Sequence, residues 1–263
     1  MTIIKSVVKT LLFYFLLQCT AFFIFFRFWL LPQYYLILFS LVQLFFYCLI
    51  FFFLIKNEKY FYNTLNGEKE TNVNTANKIT LFRITMLPLL VFLTFVSEKH
   101  LDKTSRIGKM ILTIAFALTF ATDAFDGRLA RIKKQETYIG KILDSASDYL
   151  LLGIITIAFF YFKLIKPWLF FIITIRLFIN ALGMLILSLV NKKIQPQTTL
   201  LGKIAIAVIM VLLVLEAAKI PVFLPWIRFA EGPAAFLIGI SIIDKIVYLS
   251  RGFKSALPKE SHN

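Results

Sequence analysis

Residues 123–148 read DAFDGRLARIKKQETYIGKILDSASD, with four aspartates placed where two apolar runs meet a basic stretch. The runs, Met110 to Ala124 and Ile142 to Phe162, each have the composition of a membrane helix. Carboxylates at the edge of such helices are costly and require a compensating interaction. Asp144 and Asp148 are four residues apart, which places them ~40° apart on a helix of ~3.6 residues per turn. Gly140 lies on the same face one turn earlier. Asp123 and Asp126 stand three apart at the end of the preceding helix, so antiparallel packing would let both carboxylate pairs converge on one point.

Four converging anions demand cations. An all-oxygen set favours hard ions, Mg²⁺ or Mn²⁺, over zinc, and two such ions can clamp the attacking and leaving oxygens of a phosphoryl group. Gly127, Gly140 and Ala130 keep the surface low where a ligand or a neighbouring backbone comes close. Arg131 supplies a planar fork that matches phosphate. The bland alternative is a set of solvated salt bridges between these acids and Arg128, Arg131, Lys133, Lys134 and Lys141 in a loop.

The rest of the chain sets this stretch in a membrane. Of 263 residues, 59% are hydrophobic, 30 are Phe and only 16% are charged, so no soluble domain of useful size remains. Apolar stretches approach the ~20 residues needed to cross a bilayer. They run Val7 to Leu31, Tyr34 to Ile55, Ile79 to Val96, Met110 to Ala124, Ile142 to Phe162, Trp168 to Val190, Gly202 to Ala218 and Ala234 to Leu249. The first is too long and too bulky near its end for a cleaved signal, and the second follows it almost immediately after Pro32, so the two form a retained hairpin. The segment 57–76 turns polar and reads as a linker, leaving 77–250 as the catalytic domain and 251–263 as a polar tail. The net charge of +15 is scattered between apolar runs, which argues for anionic membrane lipids and against nucleic acid. With the N-terminus in the cytoplasm, most loop Lys and Arg fall inside; Lys99, Lys103, Arg106 and Lys109 run against that orientation. Cys19 and Cys48 lie in apolar runs without metal or disulfide spacing.

The pattern D-x-x-D-G-x-x-A-R, eight residues, then G-x-x-x-D-x-x-x-D resembles the signature of the CDP-alcohol phosphatidyltransferase family, with every specified position filled. The resemblance covers about Asn77 to Leu249. It implies an all-α integral membrane protein whose six-helix domain follows the two-helix hairpin, usually a homodimer, placed in the bacterial inner membrane with its site on the cytoplasmic side. It further implies Asp123, Asp126, Asp144 and Asp148 as ligands of two metal ions, and Asp148 as the base. Asp123, Gly127, Ala130 and Arg131 would form the cytidine diphosphate site, and Gly140 a point of close approach. The family's reaction moves a phosphate-linked group from a CDP-activated donor to an alcohol and releases CMP.

Outside the signature, Asn77, Thr80 and Arg83 recur every three residues and share a helix face, similar to an N-x-x-T-x-x-R opening in the family that would bring Arg83 near substrate phosphate. Arg176 inside an apolar span needs an anion, a carboxylate or water, and Asn180 lies on its face. Gly202 and Lys203 resemble a Gly-Lys pair at the matching helix start of phosphatidylglycerol-phosphate-forming members. Arg83, Arg176 and Lys203 together suit a phosphorylated alcohol, which favours CDP-diacylglycerol as donor and glycerol 3-phosphate as acceptor. Within the family, serine, inositol phosphate or choline acceptors, or CDP-choline or CDP-ethanolamine as donor to diacylglycerol, are the alternatives. Outside it stand a membrane prenyltransferase, which does not call for G-x-x-A-R, and a cation transporter, whose inverted repeats and broken helices are missing from the sequence.

Overall fold

The computed structural model describes residues 3–100, 106–132, 135–190, 199–218 and 224–256, with the side chains of 106, 124, 126–131, 184–190, 224, 226 and 251–256 outside the description. Among the described residues the chain is helical: α1 (Ile3–Phe28), α2 (Gln33–Lys56), α3 (Thr75–Thr85), α4 (Leu87–Lys99), α5 (Arg106–Ile132), α6 (Tyr138–Tyr161), α7 (Pro167–Val190), α8 (Leu200–Ala218) and α9 (Leu224–Ala256). Among the described residues, six helical segments are long and apolar enough to cross a membrane, α3 and α4 counting as one. With backbone polar groups satisfied inside helices and apolar side chains facing outward, the chain is an all-α integral membrane protein.

Three of the expected spans differ most from the observed helices. The expected span from Ile79 to Val96 is two helices, broken at Met86 because Pro88 in the first turn of α4 has no N–H to continue the ladder. The helix expected to end at Ala124 continues to Ile132, so the D-x-x-D-G-x-x-A-R half of the signature is helical throughout. The last helix begins at Leu224 and carries Pro233 inside it, where a start at Ala234 was expected. A proline within a membrane helix is tolerated when neighbouring groups take up the freed carbonyl.

The fold divides into two compact units, 1–151 and 152–263. In the first, α1 and α2 pair through stacked Phe22 and Phe39 (3.9 Å between centroids), with Phe92 of α4 edge-on to both. A polar network is buried in the same layer. Gln18 Nε2 donates to Thr85 Oγ1 (3.0 Å), while Gln18 Oε1 accepts from Tyr47 Oη (3.0 Å) and from Gln43 Nε2. Interhelical bonds of this kind contribute roughly 0.6–2 kcal/mol in a membrane.

Residues 57–74 are folded back as a strap, and the expected linker to residue 76 is shortened because α3 begins at Thr75. Glu70 N donates to Phe61 O (2.9 Å), Gly67 takes a positive φ of 74° at the tip, and the strap meets residues 135–138 through Thr64 N to Glu136 O (2.8 Å) and Tyr138 N to Tyr62 O (3.2 Å). The rings of Tyr62 and Tyr138 lie nearly parallel at 5.7 Å.

In the second unit, α9 packs on both α7 and α8. α6 ends in a left-handed cap at Lys163 (φ 57°), closed by Leu164 N to Phe159 O at 2.8 Å.

Candidate active site

The site is assembled from α3, α5 and α6. Asn74 caps α3 by accepting from Asn77 N (2.8 Å), and its amide donates to Gln135 O (2.8 Å) just before α6. Thr137 caps α6 in the same way, accepting from Gly140 N (3.1 Å), and also accepts from Asn77 Nδ2 (2.9 Å). The two helix starts are therefore tied together, and Gly140 lets them approach. A β-carbon there would lie 2.4 Å from Asn77 Oδ1 and 2.8 Å from Thr137 Oγ1.

From this junction α3 and α6 carry their polar faces to one point. Arg83, fully buried, donates from Nη1 to Asp123 and from Nη2 to Asp144 Oδ1 (2.7 Å) and Ser147 Oγ, with Asp148 Oδ1 at 3.4 Å. Ligand oxygens of Asp123, Asp144 and Asp148 all lie within 4.8 Å of one another. The side chains remain reachable, with exposures of 32%, 51% and 18%.

The donor set fits a hard divalent ion. Three carboxylates against one guanidinium leave an excess of two negative charges, which a dication balances. On one octahedral Mg²⁺ at ~2.1 Å, adjacent oxygens stand ~3.0 Å apart and opposite ones ~4.2 Å, so carboxylates within 4.8 Å of one another must draw together to share an ion.

The expected residues fall into three groups. Asp123, Asp144 and Asp148 come together with Arg83 on their carboxylates, while Gly140 lies at the α3–α6 junction against Asn77 and Thr137. Asp126, Gly127, Ala130 and Arg131 lie on the last turns of α5, with side chains outside the described residues. Arg176 and Lys203 belong to the second unit. There Arg176, 2% exposed, donates from Nε to Ser241 Oγ (2.6 Å) and from Nη2 to Gly202 O (3.3 Å). Asn180 and Lys245 are also buried, while Lys203 is exposed. Sequence reasoning missed Ser147 and Thr137. A serine between the two acids of LDSASD and a threonine three residues before Gly140 were the available signals.

Comparison with known proteins places this geometry. The family described as CDP-alcohol phosphatidyltransferase matches residues 73–240. A protein of Bacillus subtilis (strain 168) named CDP-diacylglycerol–glycerol-3-phosphate 3-phosphatidyltransferase is 28% identical over 188 residues, covering 69% of this chain and 96% of its own. Proteins of the same name from Aquifex aeolicus (strain VF5) and Rickettsia typhi (strain ATCC VR-144 / Wilmington) are similar at 28% over 133 residues and 31% over 84 residues. These alignments cover 50% and 32% of this chain, and 68% and 43% of the relatives. The chain spans less than half the length of the first curated relatives it matches.

Proposed function

The chain belongs to the CDP-alcohol phosphatidyltransferase family, and from that membership we propose that it transfers a phosphatidyl group from CDP-diacylglycerol to glycerol 3-phosphate, releasing CMP and forming phosphatidylglycerol phosphate. The observation that carries this reading is the convergence of Asp123, Asp144 and Asp148 around buried Arg83 within the family's span.

Asp123, Asp126, Asp144 and Asp148 would hold two Mg²⁺ or Mn²⁺ ions, which would supply positive charge against the donor diphosphate. Gly127 and Ala130 leave room for the cytidine diphosphate, and Arg131 pairs with its phosphates. Asp148, whose Oδ1 stands 3.4 Å from the Arg83 guanidinium, is the base in this reading. It takes the hydrogen of the acceptor hydroxyl as that oxygen bonds to the lipid-bearing phosphorus. The bond from that phosphorus to the bridging oxygen breaks, and CMP leaves with the electron pair. Arg176 and Lys203 are further candidates for pairing with a phosphate. Residues 77–250 form the catalytic domain, and the protein works as a homodimer in a bacterial inner membrane with its site on the cytoplasmic side.

The test supplies membranes containing the protein with CDP-diacylglycerol, Mg²⁺ and labelled glycerol 3-phosphate, serine, inositol phosphate or choline. CMP release with labelled phosphatidylglycerol phosphate is expected. A product from another acceptor refutes the acceptor assignment. Absence of metal-dependent product from any acceptor, with CDP-choline and CDP-ethanolamine plus diacylglycerol also tried, refutes the reaction.

A further inference from the structure

The N-terminal hairpin carries a polar layer that membrane anchoring does not explain. Gln18 stands more than half-way along α1 and Gln43 near the middle of α2, positions where a primary amide is costly in hydrocarbon. Both are buried inside the first unit, at 1% and 0% exposure, and the network they form with Tyr47 ends on one atom outside the hairpin, Thr85 Oγ1.

Thr85 occupies a mechanically particular place. It is the last residue of α3, beside the break that Pro88 imposes, and lies two residues beyond Arg83. Its hydroxyl donates to Phe82 O (2.9 Å) while accepting from Gln18, so the hairpin fixes the direction of the hydroxyl that closes the final turn of α3. A loosened turn here would let the Arg83 guanidinium move against Asp123, Asp144 and Asp148.

The same N-terminal segment grips the other side of the site. The strap bonds to residues 135–138 at the start of α6, and Val73 N donates to Ser6 Oγ of α1 at 3.0 Å. Two of the three elements that bring charge to the site, α3 and α6, are thus held by residues outside the signature.

We infer that the hairpin is a positioning device for the active site, in which Gln18, oriented by Gln43 and Tyr47, holds Thr85 and through it the register of Arg83 on the aspartates. This rests on the reaction proposed above for its kinetic readout only; metal binding provides the other. Gln18 and Thr85 are positioning residues, since neither touches the carboxylates.

The experiment uses the full-length protein with Gln18→Leu, Thr85→Val and Thr85→Ser, plus the Gln18→Leu/Thr85→Val double variant. Mn²⁺ affinity is measured by electron paramagnetic resonance, and kcat and KM with CDP-diacylglycerol. Gln18→Leu and Thr85→Val are expected to lower kcat about tenfold with KM within twofold. They should also tighten Mn²⁺ binding threefold or more, because a displaced guanidinium competes less with the ion. Thr85→Ser, which keeps the hydroxyl, should behave as wild type, and the double variant should be no worse than either single change. An unchanged or weaker Mn²⁺ constant in both single variants overturns the inference, as does additive loss in the double variant. If the wild type turns over no CDP-alcohol pair, the proposed reaction fails, and the Mn²⁺ constants still decide the positioning role.

Discussion

Replacing Gly140 by Ala tests whether the approach of α6 to α3 sets the site. In an open helix the change would stabilise by ~1 kcal/mol, because alanine loses less backbone freedom than glycine. Here the new methyl would stand 2.4 Å from Asn77 Oδ1 and 2.8 Å from Thr137 Oγ1, against ordinary contact near ~3.5 Å. Relief by turning Asn77 aside breaks its 2.9 Å bond to Thr137 and strands buried polar atoms, at ~1–3 kcal/mol each. Relief by backing α6 away needs about 1 Å, and Asp144, one turn further along, moves with it. A misplacement of ~1 Å costs on the order of a hundredfold in rate, ~2.7 kcal/mol of barrier. Either route outweighs the helix-propensity gain. Gly140→Ala is therefore expected to lower CDP-diacylglycerol turnover about a hundredfold while the protein still folds and inserts. Gly153→Ala is the control on the same helix, since nothing lies within 4 Å of its added methyl. The assay is CMP release by purified protein with thermal unfolding measured alongside. Turnover within threefold of wild type for Gly140→Ala would refute the reasoning.

Arg83→Gln should tighten Mn²⁺ binding at least tenfold while lowering turnover. A guanidinium ~5 Å from a dication opposes it by about 1.7 kcal/mol even at the dielectric of water, and titration calorimetry would read the difference. Asp148→Asn should abolish turnover yet keep most of the metal and nucleotide affinity, because it removes a base and retains an oxygen; near-normal turnover would exclude Asp148 as the base. Chelation of divalent ions should stop the reaction, with Mg²⁺ or Mn²⁺ restoring it and Ca²⁺ restoring less, because Ca²⁺ takes more ligands in a looser geometry. Arg176→Gln should raise the KM for glycerol 3-phosphate about tenfold more than the KM for CDP-diacylglycerol; an equal rise in both would point to a packing role through Ser241 and Gly202.

Features that depend on neighbours along the chain were legible before any folding was considered. Membrane residence followed from apolar length, and the acidic stripe of α6 followed from the four-residue spacing of Asp144 and Asp148, because both are properties of a single helix. The signature likewise named Gly140 as a place of close approach, though not what approaches. That Asn77 is that neighbour, that Arg83 turns onto the aspartates, and that Gln18 reaches Thr85 across 67 positions of sequence became visible in the folded chain alone. The reason is physical: lipid is as apolar as the helices themselves, so hydrophobicity chooses neither the partner nor the register of a membrane helix. Those are chosen by a few buried polar atoms and small residues, and which of them meet is a long-range fact that no local period encodes.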